Sequence, residues 1–163
     1  MKFKNPYSKL DLTKETNSNN LNAPDTSYLL DYLKKYPDHY VLILGSGNSP
    51  KVSKKVINLD VMKFEPVDLI ASGSALPFKP YTFNAVFCHD VLEHVTQPFE
   101  VASEMIRVTK KNGYMECSTP FLFPFHDVPD HYFNSSTSGI QQLFLGTKLI
   151  DVGVKMGPWH AMN

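Results

Sequence analysis

Apolar residues fall along this chain in short blocks set between polar stretches that carry Gly and Pro. Val41-Leu-Ile-Leu44 ends in Gly45-Ser-Gly47, and Val56-Ile-Asn-Leu-Asp60 ends in an acid. Blocks of four or five apolar residues without strict alternation read as strands buried on both faces, as in a parallel sheet. Val67 to Ala71, Ala85 to His89, Tyr114 to Ser118 and Leu149 to Val154 read as further strands.

Helical spacing appears between these blocks. Leu29, Leu30 and Leu33 make one stripe in a helix over 25–36, with Asp25 placed to cap it and Pro37 to stop it. Pro98 to Val108 is a second helix. Val101, Met105 and Val108 form its apolar face, Glu100, Glu104 and Arg107 are expected to face out, and Lys110-Lys-Asn-Gly113 to end it. Ser135 or Ser136 is expected to cap a third helix running to about Leu145. Alternating strands and helices predict an α/β fold with a doubly wound, mostly parallel sheet. Residues 1–25 are polar and read as a loosely ordered arm or a lid, leaving 26–163 as one domain.

Composition narrows the partners. With 163 residues the chain has room for one core. Lys plus Arg and Asp plus Glu both number 16, so charge gives no reason to expect nucleic acid or an anionic membrane. No apolar run reaches the roughly 18 residues of a membrane span. The start, Met1-Lys-Phe-Lys-Asn-Pro6, does not read as a secretory signal. Cys88 and Cys117 lie in apolar blocks and read as buried thiols, which suits a reducing cytoplasm.

The chemistry begins at the first two strands. A Gly turn after one strand and a carboxylate at the tip of the next suit a nucleoside-containing cofactor, the acid holding ribose hydroxyls. Only 60 − 47 = 13 positions separate Gly47 from Asp60, so no full crossover helix fits. A pyrophosphate cofactor uses the N-terminus of that helix. Pro50 also stands where the third Gly of G-x-G-x-x-G would be. The gap therefore favours a cofactor without phosphate.

Four pieces occur in order: Gly45-Ser-Gly47, Asp60, Ser72-Gly-Ser-Ala-Leu-Pro-Phe78, and Phe83-Asn-Ala-Val-Phe-Cys-His-Asp-Val-Leu-Glu-His94. Arg107-Val-Thr-Lys-Lys-Asn-Gly-Tyr-Met-Glu-Cys117 follows them. Over about residues 38 to 155 this order resembles the class I S-adenosylmethionine-dependent methyltransferases, most closely their small-molecule type 11 branch. The resemblance implies a Rossmann-like sheet, S-adenosylmethionine as cofactor and methyl transfer to the O or N of a small molecule. It places Gly45, Ser46 and Gly47 against the methionine part, Asp60 on the ribose and Ser72, Gly73 and Ser74 near the adenine. Cys88, His89 and Asp90 would lie beside the methyl group.

The chain departs from that pattern at several points. Ile43 stands where the family has an acid before the Gly turn, Ser72 where many members have Asp, and Asn84 where Asp follows Phe83. The first crossover helix is reduced and the family's seventh, antiparallel strand is expected to be missing, as in a truncated or unusually compact member. The short crossover, the missing acid and the early stop support an alternative to the leading expectation of methyl transfer: a methyltransferase-like binding module or an inactive fragment. A nucleotide-sugar or dinucleotide enzyme ranks last.

Histidines supply the candidates for a general base. His126 and His131 come first, with His89 and His94 behind them. Glu93 and His94 read as a structural pair after the fourth strand. His126-Asp-Val-Pro-Asp-His131 holds four potential ligands, but Pro124 and Pro129 deny it a regular helical face, and no metal site is expected there. Phe121, Phe123, Phe125, Tyr132 and Phe133 read as core and loop packing.

Overall fold

The computed structural model describes residues 2–3, 26–126 and 130–153. In chain order its elements are β1 (Lys2–Phe3), α1 (Ser27–Lys35), β2 (Val41–Leu44), β3 (Val56–Asp60), β4 (Leu69–Ile70), β5 (Phe83–His89), a 3-10 turn (Leu92–His94), α2 (Pro98–Val108), β6 (Thr109–Ser118) and α3 (Thr137–Leu143). One sheet holds all the strands in the order β1-β6-β5-β2-β3-β4. The five strands from β2 to β6 are parallel, and β1 pairs antiparallel with β6.

The unalternating apolar blocks form strands covered on both faces, as a parallel sheet requires. Leu42, Leu44, Val86, Cys88 and Cys117 pack on one face with Val101, Ala102, Met105 and Val108 of α2 and with Ile140 and Phe144 of the α3 region. Val41, Ile43, Val56, Ala85, Phe87 and Tyr114 pack on the other with Leu29 and Tyr32 of α1. Helices on both faces make the sheet doubly wound, as predicted.

The reduced crossover is also as predicted: residues 45–55 contain turns and no helix. Buried Asn58 on β3 compensates for it. Its side-chain amide donates to the Ser49 carbonyl at 2.9 Å and to the Pro66 carbonyl at 3.1 Å, tying the loops on either side of β3 to the strand. Asp68 accepts from the Asn58 backbone at 2.8 Å, and Lys51 bridges Asp68 and the Val56 carbonyl.

Other boundaries differ from expectation. Asp25 lies outside the described residues, and α1 begins after Thr26, whose side chain makes no capping bond. Lys110 to Gly113 do not end α2. That helix stops at Val108, Thr109 is extended with its hydroxyl on the Met105 carbonyl, and β6 starts at once. The extra residues form an irregularity in the ladder, where Phe83 pairs with Thr109 and Ala85 with Tyr114. A Cβ at Gly113 would lie 2.7 Å from the Lys110 carbonyl oxygen, so this glycine serves the bulge and not a helix cap.

Ser136 caps α3 by accepting from the Gly139 amide. The last predicted strand does not form over 149–153. Asp151 makes an isolated bridge, while Leu149, Ile150 and Val152 are exposed. Val154 lies outside the described residues. Of the arm, Lys2 and Phe3 are a sheet strand, and residues 4–25 lie outside the described ones. Among the described residues no helix is long and apolar enough to cross a membrane.

Candidate functional site

The strand order reverses between β2 and β5, and ligands of open α/β sheets bind at such a switch point, beyond the carboxyl ends of the strands. Gly45 leaves β2 with φ +69°, and its amide and that of Ser46 donate to the Leu59 carbonyl at 2.9 and 3.0 Å. A Cβ on Gly45 would overlap Val91 of the loop after β5. Gly45 therefore lets two loops touch. Gly47, at φ +50°, has open space where a Cβ would stand. Its amide donates to Asp60 Oδ2 at 2.8 Å, and the Met62 amide donates to Asp60 Oδ1 at 2.9 Å. Ser46 is buried, and its hydroxyl has no hydrogen-bond partner among the described residues.

Ser72 and Ser74 join hydroxyls at 2.9 Å past the end of β4. Between them a Cβ on Gly73 would press on Leu44 and Val101 at 3.3 and 3.4 Å, so Gly73 serves core packing. The following Leu76-Pro-Phe78 loop is clamped by α2. Arg107 donates from Nη1 to the Phe78 carbonyl at 2.7 Å and from Nη2 to the Leu76 carbonyl at 2.9 Å. It also forks onto Glu104, whose carboxylate accepts the Leu76 amide at 2.7 Å. Arg107 holds the Glu104 carboxyl below its ordinary range. Glu104 and Arg107 thus grip a loop where the sequence predicts a solvent face.

Cys88, His89 and Asp90 diverge. The Cys88 thiol is fully buried on the α2 face beside Cys117; the Cys117 thiol and burial push it well above the usual range. His89 turns to the α1 face, its ring 4.3 Å from that of Tyr28 and its Nε2 3.3 Å from Glu116 Oε1. Burial, then the Glu116 carboxylate, raises the Tyr114 hydroxyl above its ordinary value, so it stays protonated and donates to Glu116 at 2.5 Å. Only Asp90 is exposed, at φ +54°, with its carboxylate accepting from the Ser118 hydroxyl at 3.1 Å.

A second constellation follows β5. Glu93 is 1% exposed, its Oε2 has no partner among the described residues, and burial pushes its carboxyl up to about 7. Its carbonyl accepts the Tyr132 amide at 2.7 Å, fastening the aromatic loop to the 3-10 turn. His94 Nε2 lies 4.0 Å from Glu93 Oε1 and 3.2 Å from His126 Nε2. His131 accepts the His126 amide on Nδ1 and reaches Asn134 Oδ1 at 2.8 Å through Nε2. Sequence reading put His126 and His131 first, with His94 behind them and paired with Glu93. Nothing in a spacing of 32 positions announces that His94 and His126 meet.

None of the predicted site residues lines the groove of about 310 Å³ at the opposite, N-terminal edge of the strands, where Tyr36, His39, Asn84 and Lys110 stand.

Comparison with known proteins agrees with this geometry. A family model described as a methyltransferase domain matches residues 26–117. An uncharacterized methyltransferase of Mycobacterium leprae is 45% identical over 56 residues, which are 34% of this chain and 21% of that protein. One from Mycobacterium avium is 39% identical over 70 residues, 40% of this chain and 28% of that protein. The chain thus matches well under two thirds of these relatives' length. Among solved structures, the YcgJ protein of Bacillus subtilis superposes with a TM-score of 0.53 at 19% identity, over 72% of this chain and 66% of that one. A SAM-dependent methyltransferase of Thermotoga maritima gives 0.52 at 17%, over 71% and 66%. These two likenesses show the Rossmann-like fold alone. With the family model matching more than half its residues, the chain belongs to the class I S-adenosylmethionine-dependent methyltransferases, type 11.

Proposed function

We propose that this chain transfers a methyl group from S-adenosylmethionine to an oxygen or nitrogen of a small-molecule acceptor. The observation that carries the choice of cofactor is the Gly47 to Asp60 connection. It has no helix, and its Gly47 amide is already bonded to Asp60, so it offers no helix N-terminus to a pyrophosphate. S-adenosylmethionine has no phosphate and loses nothing by that absence.

The residues fit such a group. Among the described residues the buried Ser46 hydroxyl is unpartnered, Gly47 faces open space, and the Asp60 carboxylate, with one amide on each oxygen, keeps further lone pairs for ribose hydroxyls. In this reading the Gly45–Gly47 turn borders the methionine part and Ser72 to Ser74 the adenine. Asp90, with the backbone of Cys88 and His89, borders the reacting end.

When bound, S-adenosylmethionine supplies a sulfonium methyl group. The chain's own contribution is alignment of the acceptor with that group and exclusion of water. Neither His126 nor His131 is carried forward as a general base. His131 has both ring nitrogens engaged, and His126 Nε2 faces His94. A base is dispensable where the acceptor arrives already nucleophilic.

Titration calorimetry with S-adenosylmethionine and its demethylated product tests the reading. Binding of both is expected; absence of heat up to millimolar ligand by a folded chain refutes it.

A further inference from the structure

We propose that Glu93, His94 and His126 form a binding site for a divalent metal ion of the zinc class. The inference rests on the hydrogen bonds of the two imidazoles and not on methyl transfer.

His94 Nδ1 lies 2.6 Å from the Asp130 carbonyl, and His126 Nδ1 lies 3.1 Å from the Pro124 carbonyl. A carbonyl oxygen can only accept, so each Nδ1 carries its ring's proton. In the neutral rings both Nε2 atoms are then bare lone pairs, and they face each other at 3.2 Å. Two lone pairs at that distance repel unless something positive lies between them. Backbone carbonyls that fix the Nδ1–H tautomer and present Nε2 are the usual support behind metal-ligating histidines.

The third ligand is already in place. Glu93 Oε1 is 4.0 Å from His94 Nε2, and one ligand atom from each of Glu93, His94 and His126 falls within 4.8 Å of the others. Metal–nitrogen bonds of about 2.0–2.1 Å in a tetrahedral site put ligand atoms about 3.3 Å apart, close to the 3.2 Å between the two rings. Glu93 is 1% exposed, and its second oxygen has no hydrogen-bond partner among the described residues. A bound cation accounts for a carboxylate in that position.

Two imidazoles and one carboxylate suit zinc and its neighbours over magnesium or calcium, which take oxygen. Three protein ligands leave a fourth position for water. His131 is outside the set, since its Nδ1 accepts the His126 amide and so positions that residue.

The sequence reading expects no metal because it considers only 126–131. The proposed ligands instead come from two segments that the fold brings together. The competing occupant is a proton shared between the rings.

The test uses the full chain, stripped with a chelator and titrated with cobalt(II), whose visible absorption reports tetrahedral nitrogen and oxygen ligation, followed by displacement with zinc. One equivalent is expected to bind, and both His126→Ala and the near-isosteric Glu93→Gln are expected to lower affinity tenfold or more. Circular dichroism confirms that each variant is folded. Failure of the folded wild type to take up metal, or a loss of less than tenfold in folded His126→Ala, overturns the proposal.

Discussion

The Gly47 amide donates to the Asp60 carboxylate at 2.8 Å, so the first Gly turn and the tip of the neighbouring strand are joined directly where a crossover helix would otherwise intervene. Asp60 thereby closes the short connection, and in the proposed reading it also faces the ligand. Asp60→Ala is expected to weaken S-adenosylmethionine binding at least tenfold by calorimetry. It should also cost about 1–3 kcal/mol of stability, because the Gly47 and Met62 amides lose their acceptor. Unchanged affinity in a folded variant would show that the ribose assignment is wrong.

The two glycines of the turn should separate stability from binding. At Gly45 a methyl group meets Val91 in addition to an unfavourable φ, so Gly45→Ala should lower the melting temperature sharply. At Gly47 only the φ penalty of about 1–2 kcal/mol applies, since the space beside it is open. Gly47→Ala should therefore fold and show its main defect in cofactor affinity. Equal melting temperatures for the two variants would contradict this division.

Arg107 and Glu104 hold the Leu76-Pro-Phe78 loop through its backbone, a geometry that a lysine ammonium cannot reproduce. Arg107→Lys should lower the urea midpoint, and hydrogen exchange should quicken at the Leu76 amide. The pH dependence follows from Glu104. Its carboxyl is held below the ordinary 4.5 in the folded state by Arg107, so its contribution is complete above that value. The contribution disappears as pH falls through the lower, folded value. The stability difference between wild type and Glu104→Gln should therefore be largest at neutral pH and shrink in acid.

Cys88 and Cys117 are paired across neighbouring strands, neither is in a disulfide, and both lie at 0% exposure. Their burial, and the raised Cys88 thiol, should make the native chain slow to react with a thiol-specific disulfide reagent. Two equivalents should react promptly in denaturant, matching the two cysteines of the sequence. Rapid labelling of the native chain would place this part of the β5 and β6 packing in doubt.

The sequence by itself determined the elements whose signals are local. The apolar blocks at 41–44, 56–60 and 114–118 are strands because their side chains must leave water on both faces. Pro98 to Val108 is a helix because its apolar positions recur at helical spacing. The 13-position gap was equally legible, since chain length alone forbids a full helix there. Tertiary structure decided what depends on neighbours. Lys110 to Gly113 form a bulge within β6 because β5 pairs with the residues on either side of them, while over Leu149 to Gly153 only Asp151 makes a bridge. Glu104 and Arg107 turned from solvent to a loop 28 to 31 positions away. His94 met His126 because the Glu93 carbonyl anchors the distant aromatic loop. Local propensity does not encode such meetings: they form where packing of the whole sheet sets the loops at one end against each other.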